Sequence, residues 1–194
     1  MNQLSFFSAE TVPPEVSDLD GLLAGHGQIV AAADRARVSA VVDARWRAEA
    51  IAEMIEDAGL VAEITRSDEG NLLVRTGSVP ELAVLAVRWT RGAVKAVPDG
   101  WVPGARALRA WALVSGRAEN DGDRFVLGLD PHAPDTHPVL AQSLMRAGIA
   151  PTLFGTRGAS PGLRIVGHRR LLRLVESIGD PPPGADAEAA WPRV

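Results

Sequence analysis

The feature that most constrains this chain is that one α/β module is written twice. Leu19-Asp20-Gly21-Leu22-Leu23-Ala24-Gly25-His26-Gly27 is answered 89 residues later by Leu108-Arg109-Ala110-Trp111-Ala112-Leu113-Val114-Ser115-Gly116. Ala58-Gly59-Leu60 and Ala147-Gly148-Ile149 stand at the same offset of 89. Between them, the run from Arg37 to Asp43 matches the run from Arg124 to Asp130 at an offset of 87, which requires a hairpin two residues shorter in the second copy. Leu72–Gly77 and Pro161–Gly167 close the two copies in the same way. Repetition of this kind means one supersecondary unit whose apolar face is buried against its partner.

Each copy reads helix, strand, strand, helix, strand, strand, helix. The opening helix runs to Gly27 or Gly116, where a glycine stops it. A hairpin follows, turning at Asp34-Arg35 in the first copy and at Asn120-Asp121-Gly122 in the second. Trp46, Ala50, Met54 and Ala58 recur at helical spacing and predict a helix over about 45–58. Leu140, Leu144 and Ala147 predict its counterpart over about 137–147. Second hairpins follow at about 61–66 with 71–76, and 151–157 with 162–166. The closing helices lie at about 80–89 and 168–178. This is an α+β chain: a tandem, pseudo-two-fold repeat of αββαββα with two antiparallel sheets. Its parts are a flexible segment 1–16, a first repeat 17–90, a linker 91–104, a second repeat 105–179 and a disordered tail 180–194 around Pro181-Pro182-Pro183.

Composition narrows the function. There is no Cys, which excludes disulfides, thiolate metal sites and a Cys nucleophile, and fits a cytoplasmic setting. Apolar runs are too short to span a bilayer, and the start is not that of a secretory signal. The net charge of −4 is unevenly spread: residues 1–100 carry net −6, residues 101–180 net +3 and the tail net −1. Phosphate contacts therefore lean toward the second copy. No Gly-rich phosphate loop or nucleophile elbow is present.

The recurring nonapeptide, the Ala-Gly-Leu/Ile landmarks and the closing Leu171–Gly179 segment resemble the LAGLIDADG homing-endonuclease fold over residues 17–179. The resemblance implies two motif helices packed at a pseudo-two-fold axis, with small residues such as Gly21, Gly25, Ala110 and Ala112 letting their backbones approach. It also implies two sheets that form a saddle over the DNA major groove. In that family the acidic residue before each final Gly holds the catalytic metal ions. Here those positions are His26 and Ser115, and the other motif acid is replaced by Ala24 and Leu113. A divalent ion in phosphodiester cleavage needs hard anionic oxygens, which an imidazole and a hydroxyl do not supply. Asp18 and Asp20 fall six and more residues before His26, away from the helix tip. His132, His137 and His168 are not at ligand spacing to His26. The chain is thus expected to hold no metal or cofactor and to be no enzyme. Such degenerate copies are similar to the N-terminal domain of WhiA-type regulators, which keep the fold without cleavage.

Arg37, Arg66, Arg75, Arg117, Arg124, Arg157 and Arg164 fall on or beside predicted strands, where alternate side chains face one side. Arg suits phosphates and guanine edges. Arg169, Arg170 and Arg173 share one helix and suggest a phosphate patch. Against this, Glu63, Glu69, Glu119 and Asp123 balance the strand arginines, and the first hairpin, Gln28–Ala33, is poor in polar readers. Gln3-Leu4-Ser5-Phe6-Phe7 is similar to the bacterial sliding-clamp-binding pentapeptide, which implies a clamp partner that takes Leu4, Phe6 and Phe7 in an apolar groove while Gln3 bonds at its edge. The alternative is that these aromatics cap the protein's own core. Three readings stand open: a non-catalytic DNA-associated protein in regulation, replication or repair; a protein-interaction adaptor without DNA binding; and a DNA endonuclease. Two copies in one chain supply the two-fold partner internally, so the expected state is a monomer.

Overall fold

The computed structural model describes residues 8–156, 158 and 160–194. A 3-10 turn, Val16–Leu19, leads into α1 (Asp20–Ala24), then β1 (Gln28–Ala32), β2 (Arg35–Val42), α2 (Arg45–Asp57), β3 (Ala62–Arg66), β4 (Leu72–Thr76) and α3 (Ala83–Trp89). A short hairpin, β5 (Thr90–Arg91) and β6 (Val94–Lys95), precedes the second copy. That copy holds α4 (Ala105–Ser115), β7 (Gly116–Glu119), β8 (Arg124–Gly128), α5 (His137–Arg146), β9 (Thr152–Phe154), β10 (Gly162–Val166) and α6 (His168–Ile178). A last helix, α7, spans Ala185–Ala190.

The strands form two four-stranded antiparallel sheets of identical order, β1-β2-β4-β3 and β7-β8-β10-β9. The offsets read in the sequence reappear in the ladders. Gln28 pairs with Ser39, and Arg117 with Val126. Ser39 pairs with Arg75, and Val126 with Arg164. The Ala-Gly-Leu/Ile landmarks turn out to be matched helix C-caps. Gly59 at φ 80° and Gly148 at φ 85° reverse the chain, so that Leu60 N–H reaches Ile55 O at 3.1 Å and Ile149 N–H reaches Leu144 O at 3.1 Å. This pattern satisfies carbonyls that a helix end leaves open, and places an apolar residue on the core.

The core is organised by α1 against α4. A side-chain carbon added at Gly21 would collide with the Ala107 carbonyl and the Ala110 methyl, and one at Gly25 with Val114 and Ser115. The small residues named from the sequence are therefore the point of closest approach. Leu22, Leu23, Leu108, Trp111 and Leu113 fill the interior beside them. Asp20, buried there, accepts the indole N–H of Trp89 at 2.6 Å and of Trp101 at 3.0 Å. Burial raises its pKa, against the opposing pull of Arg88 and those hydrogen bonds.

Several expectations are corrected. The first hairpin turns at Ala33-Asp34, with Ala33 at φ 55°, one residue before the expected Asp34-Arg35. Gly27 and Gly116 serve as space rather than as left-handed caps: a Cβ on Gly27 would strike Leu22 O, and one on Gly116 would strike Ala112 O and Phe125. The linker adds the β5–β6 hairpin and sends Trp101 into the core, its ring 5.0 Å from Trp89. The part of segment 1–16 within the described residues is anchored, with Ser8 and Ala9 buried and Ala9 N–H bonded to Ser177 O at 2.8 Å. The tail expected to be disordered carries α7 and a Trp191 that is 3% exposed, its indole donating to Gly179 O at 2.9 Å. The buried indole offsets part of the chain entropy that ordering this segment costs.

Candidate nucleic-acid interface

The two motif-helix ends meet the ends of the sheets at the centre of the molecule. His26 and Ser115 both stand there. Ser115 Oγ donates to Gly128 O at 3.1 Å. His26 Nε2 lies 3.1 Å from Leu129 O, a contact that puts a proton on that nitrogen. Partial burial holds the His26 pKa below the ordinary histidine value, and Lys95 and Arg117 push the same way against Leu129 O and Asp130. The neutral ring is therefore favoured.

Each helix end is capped by a side-chain cation supplied from elsewhere. Lys95, the only lysine, reaches from β6 to Gly25 O at 3.0 Å and pairs with Asp130 Oδ2 at 3.0 Å. Gln28 donates to the same carboxylate oxygen at 2.7 Å. Burial alone would raise the Asp130 pKa, but Lys95 and the bonds from His132 N–H and Gln28 outweigh it and leave it lowered. At the other end, Arg47 from α2 donates to Leu113 O at 2.8 Å, Ala112 O at 3.3 Å and Gly116 O at 2.6 Å, and pairs with Asp43 at 3.1 Å. Cations at helix C-termini are favoured by the open carbonyls and the dipole. Asp43 and Asp130 are repeat partners at the offset of 87, so the two caps are related, one built on Arg and the other on Lys.

These donors do not fit a divalent ion. The carboxylates nearest the tips are already paired with cations, and a guanidinium and an ammonium hold the carbonyls of the helix ends. Among the described residues no three His, Asp or Glu side chains gather as a cage. Asp18 and Asp20 are committed elsewhere, Asp18 to Arg106 at 2.8 Å and Asp20 to the indoles. An open cavity of about 350 Å³ remains beside the second tip, lined by His26, Asp43, Arg47, Asn71, Ser115 and Arg117 among others.

The strand arginines divide into two sets. Alternation along the ladders puts Arg37 and Arg75 on the open face of the first sheet, and Arg117, Arg124 and Arg164 on the open face of the second. Arg75 is bonded to Glu63 at 2.8 Å, and Arg164 to Glu119 at 2.9 Å. Arg117 lies 3.8 Å from Glu119. Phe154 sits over Gly162 on this face, 4.2 Å from the Arg164 guanidinium carbon and 5.9 Å from that of Arg117. Arg37 and Arg124, repeat partners at the offset of 87, are exposed and make no hydrogen bond or ion pair among the described residues.

The remaining arginines are not gathered there. Arg66 points to the opposite face of its sheet and donates to Gly70 O at 2.7 Å. Arg169, Arg170 and Arg173 are exposed on the solvent side of α6, whose Leu171 and Leu174 pack inward against α4 and β10, so they belong to another surface. Arg157, Gln3, Leu4, Phe6 and Phe7 lie outside the described residues. Sequence reasoning missed Lys95, Arg47, Gln28 and Phe154. The signal for Lys95 was its being the only lysine; for Arg47 it was its place four residues after the repeated Asp43.

No protein-family model matches the chain, and no curated protein matches it. Solved structures do. The chain is similar to full-length DUF199/WhiA from Thermatoga maritima, at 15% identity and a TM-score of 0.60, over 84% of this chain and 54% of that one. It is similar to the homing endonuclease I-WcaI bound to its DNA recognition sequence, at 12% identity and a TM-score of 0.59, over 84% and 79%. It is also similar to mesophilic variants of the homing endonuclease I-DmoI, at 12% identity and a TM-score of 0.52, over 84% and 94%. The fold is LAGLIDADG-like. The chain spans about half the length of full-length WhiA. No helix among the described residues is long and apolar enough to cross a membrane.

Proposed function

We propose that this chain is a non-catalytic, DNA-associated protein, a cytoplasmic monomer that lays duplex DNA across the open faces of its two sheets in a regulatory, replication or repair role. The observation that carries this reading is the pair of cation-capped helix ends between two arginine-bearing faces. Arg47 and Lys95 place positive charge at the helix ends, which disfavours a divalent ion there. Arg37 and Arg124 supply the leading contacts, since neither has an internal hydrogen bond or ion pair to give up when it meets a phosphate or a guanine edge. DNA bound by I-WcaI, a protein of the same fold, supports the placement.

The test is fluorescence anisotropy of labelled duplex DNA at low and moderate salt, with magnesium present and the DNA inspected afterwards for cuts. The expected result is salt-sensitive binding without cleavage, in which Arg37→Ala and Arg124→Ala each lower the salt slope by about one. Cleavage, or no binding at low salt, overturns the reading.

A second reading is favoured by the glutamates that occupy Arg75 and Arg164: an adaptor that keeps the fold without DNA, recruited through Gln3–Phe7 to a sliding clamp. Clamp binding by the intact chain, abolished by Phe6→Ala with Phe7→Ala and unaffected by Arg37→Ala, would support it.

A further inference from the structure

The open face of the first sheet carries an oddity that phosphate contacts do not explain. Val30 is 64% exposed and Val41 is 45% exposed, and both point to the same side as Arg37 and Arg75. Val30 lies directly across from Arg37 on the neighbouring strand, and Val41 across from Leu73. Four residues of β2 separate the Arg37 row from Val41, about 13 Å along the strand. The repeat shows that the fold does not demand apolar residues here. At the matching positions of the second copy stand Glu119, at the offset of 89, and Gly128, at the offset of 87.

The charge around Val30 selects the occupant. Arg35 and Arg37 flank it on β2, and neither makes a hydrogen bond or ion pair among the described residues, Arg37 feeling Glu63 only through space. An apolar side chain beside two guanidiniums that make no ion pair suits a polyanion that also presents apolar groups. In the major groove of duplex DNA the apolar feature of the base edges is the C5 methyl of thymine. Resting on the DNA-binding reading above, we infer that Val30 and Val41 contact thymine methyl groups, so that the first repeat reads A·T pairs at two separate steps of its half-site. The second repeat cannot do the same from these positions. Its Glu119 carboxylate is an acceptor held by Arg164, and Gly128 has no side chain.

The experiment starts by selecting preferred duplexes from a randomised pool with the full chain. Thymines of one half of the selected duplex are then replaced by deoxyuridine, which removes the methyl and keeps every hydrogen-bonding group. Affinity is measured by anisotropy, and each variant's melting profile is checked against the parent. The expected result is a loss of roughly three- to five-fold per contacted methyl when the first repeat's half is substituted. The change stays under two-fold for the other half. Val30→Ala with Val41→Ala binds the thymine and uracil duplexes equally. Equal affinity of the parent for both duplexes overturns this inference while leaving DNA binding standing. Failure to bind any duplex overturns both.

Discussion

The two open sheet faces have the same strand order and the same register, yet their side chains do different work. On the first, Val30 and Val41 are left in water beside an unpaired Arg37. On the second, Arg117, Glu119, Phe154 and Arg164 form a closed cluster of ion pairs and ring contacts, and Val126 beneath it is fully buried. The helix ends differ in the same manner. Arg47 caps one with a carboxylate, Asp43, whose side chain is 86% exposed, whereas Lys95 caps the other with an Asp130 that is 6% exposed. A shared backbone thus tolerates two chemistries, provided each copy satisfies its own buried carbonyls and charges.

Four pairs of substitutions break or sharpen this comparison. The largest effect is expected where the copies touch. Gly21→Leu forces a side chain into the Ala107 carbonyl and should cost about 3 kcal/mol or more, read as a large fall in the urea midpoint by circular dichroism. Ala110, which faces Gly21, should behave alike with Leu. Next come the caps. Lys95→Met strands a buried carboxylate and should cost about 3 kcal/mol in urea unfolding. Arg47→Met leaves an exposed Asp43 but several open carbonyls, and should cost less, about 2 kcal/mol. Equal losses would show that the cap, and not the ion pair, carries the stability.

A smaller effect separates the sheets by charge. Glu119→Gln releases two arginines and Glu63→Gln releases one, so the first should tighten DNA binding by roughly five-fold and the second by roughly two-fold in anisotropy at low salt. The reverse order would mean that the second sheet does not meet the phosphates. The smallest effect concerns pH. The folded pKa of His26 is lowered, so the unfolded chain takes up a proton below about pH 6.5 that the folded ring resists. Stability contributed by the neutral ring is present above that value and falls as the pH drops toward the lowered folded pKa. His26→Gln should flatten this part of the pH–stability curve, while Ser115→Ala leaves it unchanged.

Much of the architecture was legible beforehand because it is local or repeated. The closing helix at 168–178 and the Asn120-Asp121-Gly122 turn follow from nearest neighbours and turn chemistry. Motif position singled out His26 and Ser115, and both stand at the helix ends. The arginines were less legible. Strand periodicity puts an Arg on a face, but it does not say whether a glutamate waits across the ladder, and Arg66 shows how one step of register moves a side chain to the other side. The tail misled because three consecutive prolines weigh against a helix, while Trp191 finds its pocket only once α6 and Gly179 are in place.

By itself, then, the sequence determined the duplication, the element order, the offsets of 89 and 87 that recur in the ladders, and the loss of acids from both motif ends. Those depend on spacing and residue type, which a chain carries at every stage of folding. Only the tertiary structure decided that Arg47 and Lys95 would cap the helix ends, that Arg37 and Arg124 would stay unpaired while Arg75 and Arg164 did not, and that two valines would face water. The caps depend on groups far apart in the chain, 69 residues for Arg47 and Gly116 and 70 for Lys95 and Gly25, which tertiary packing alone brings together, whereas the arginine pairs depend on the strand register inside each sheet.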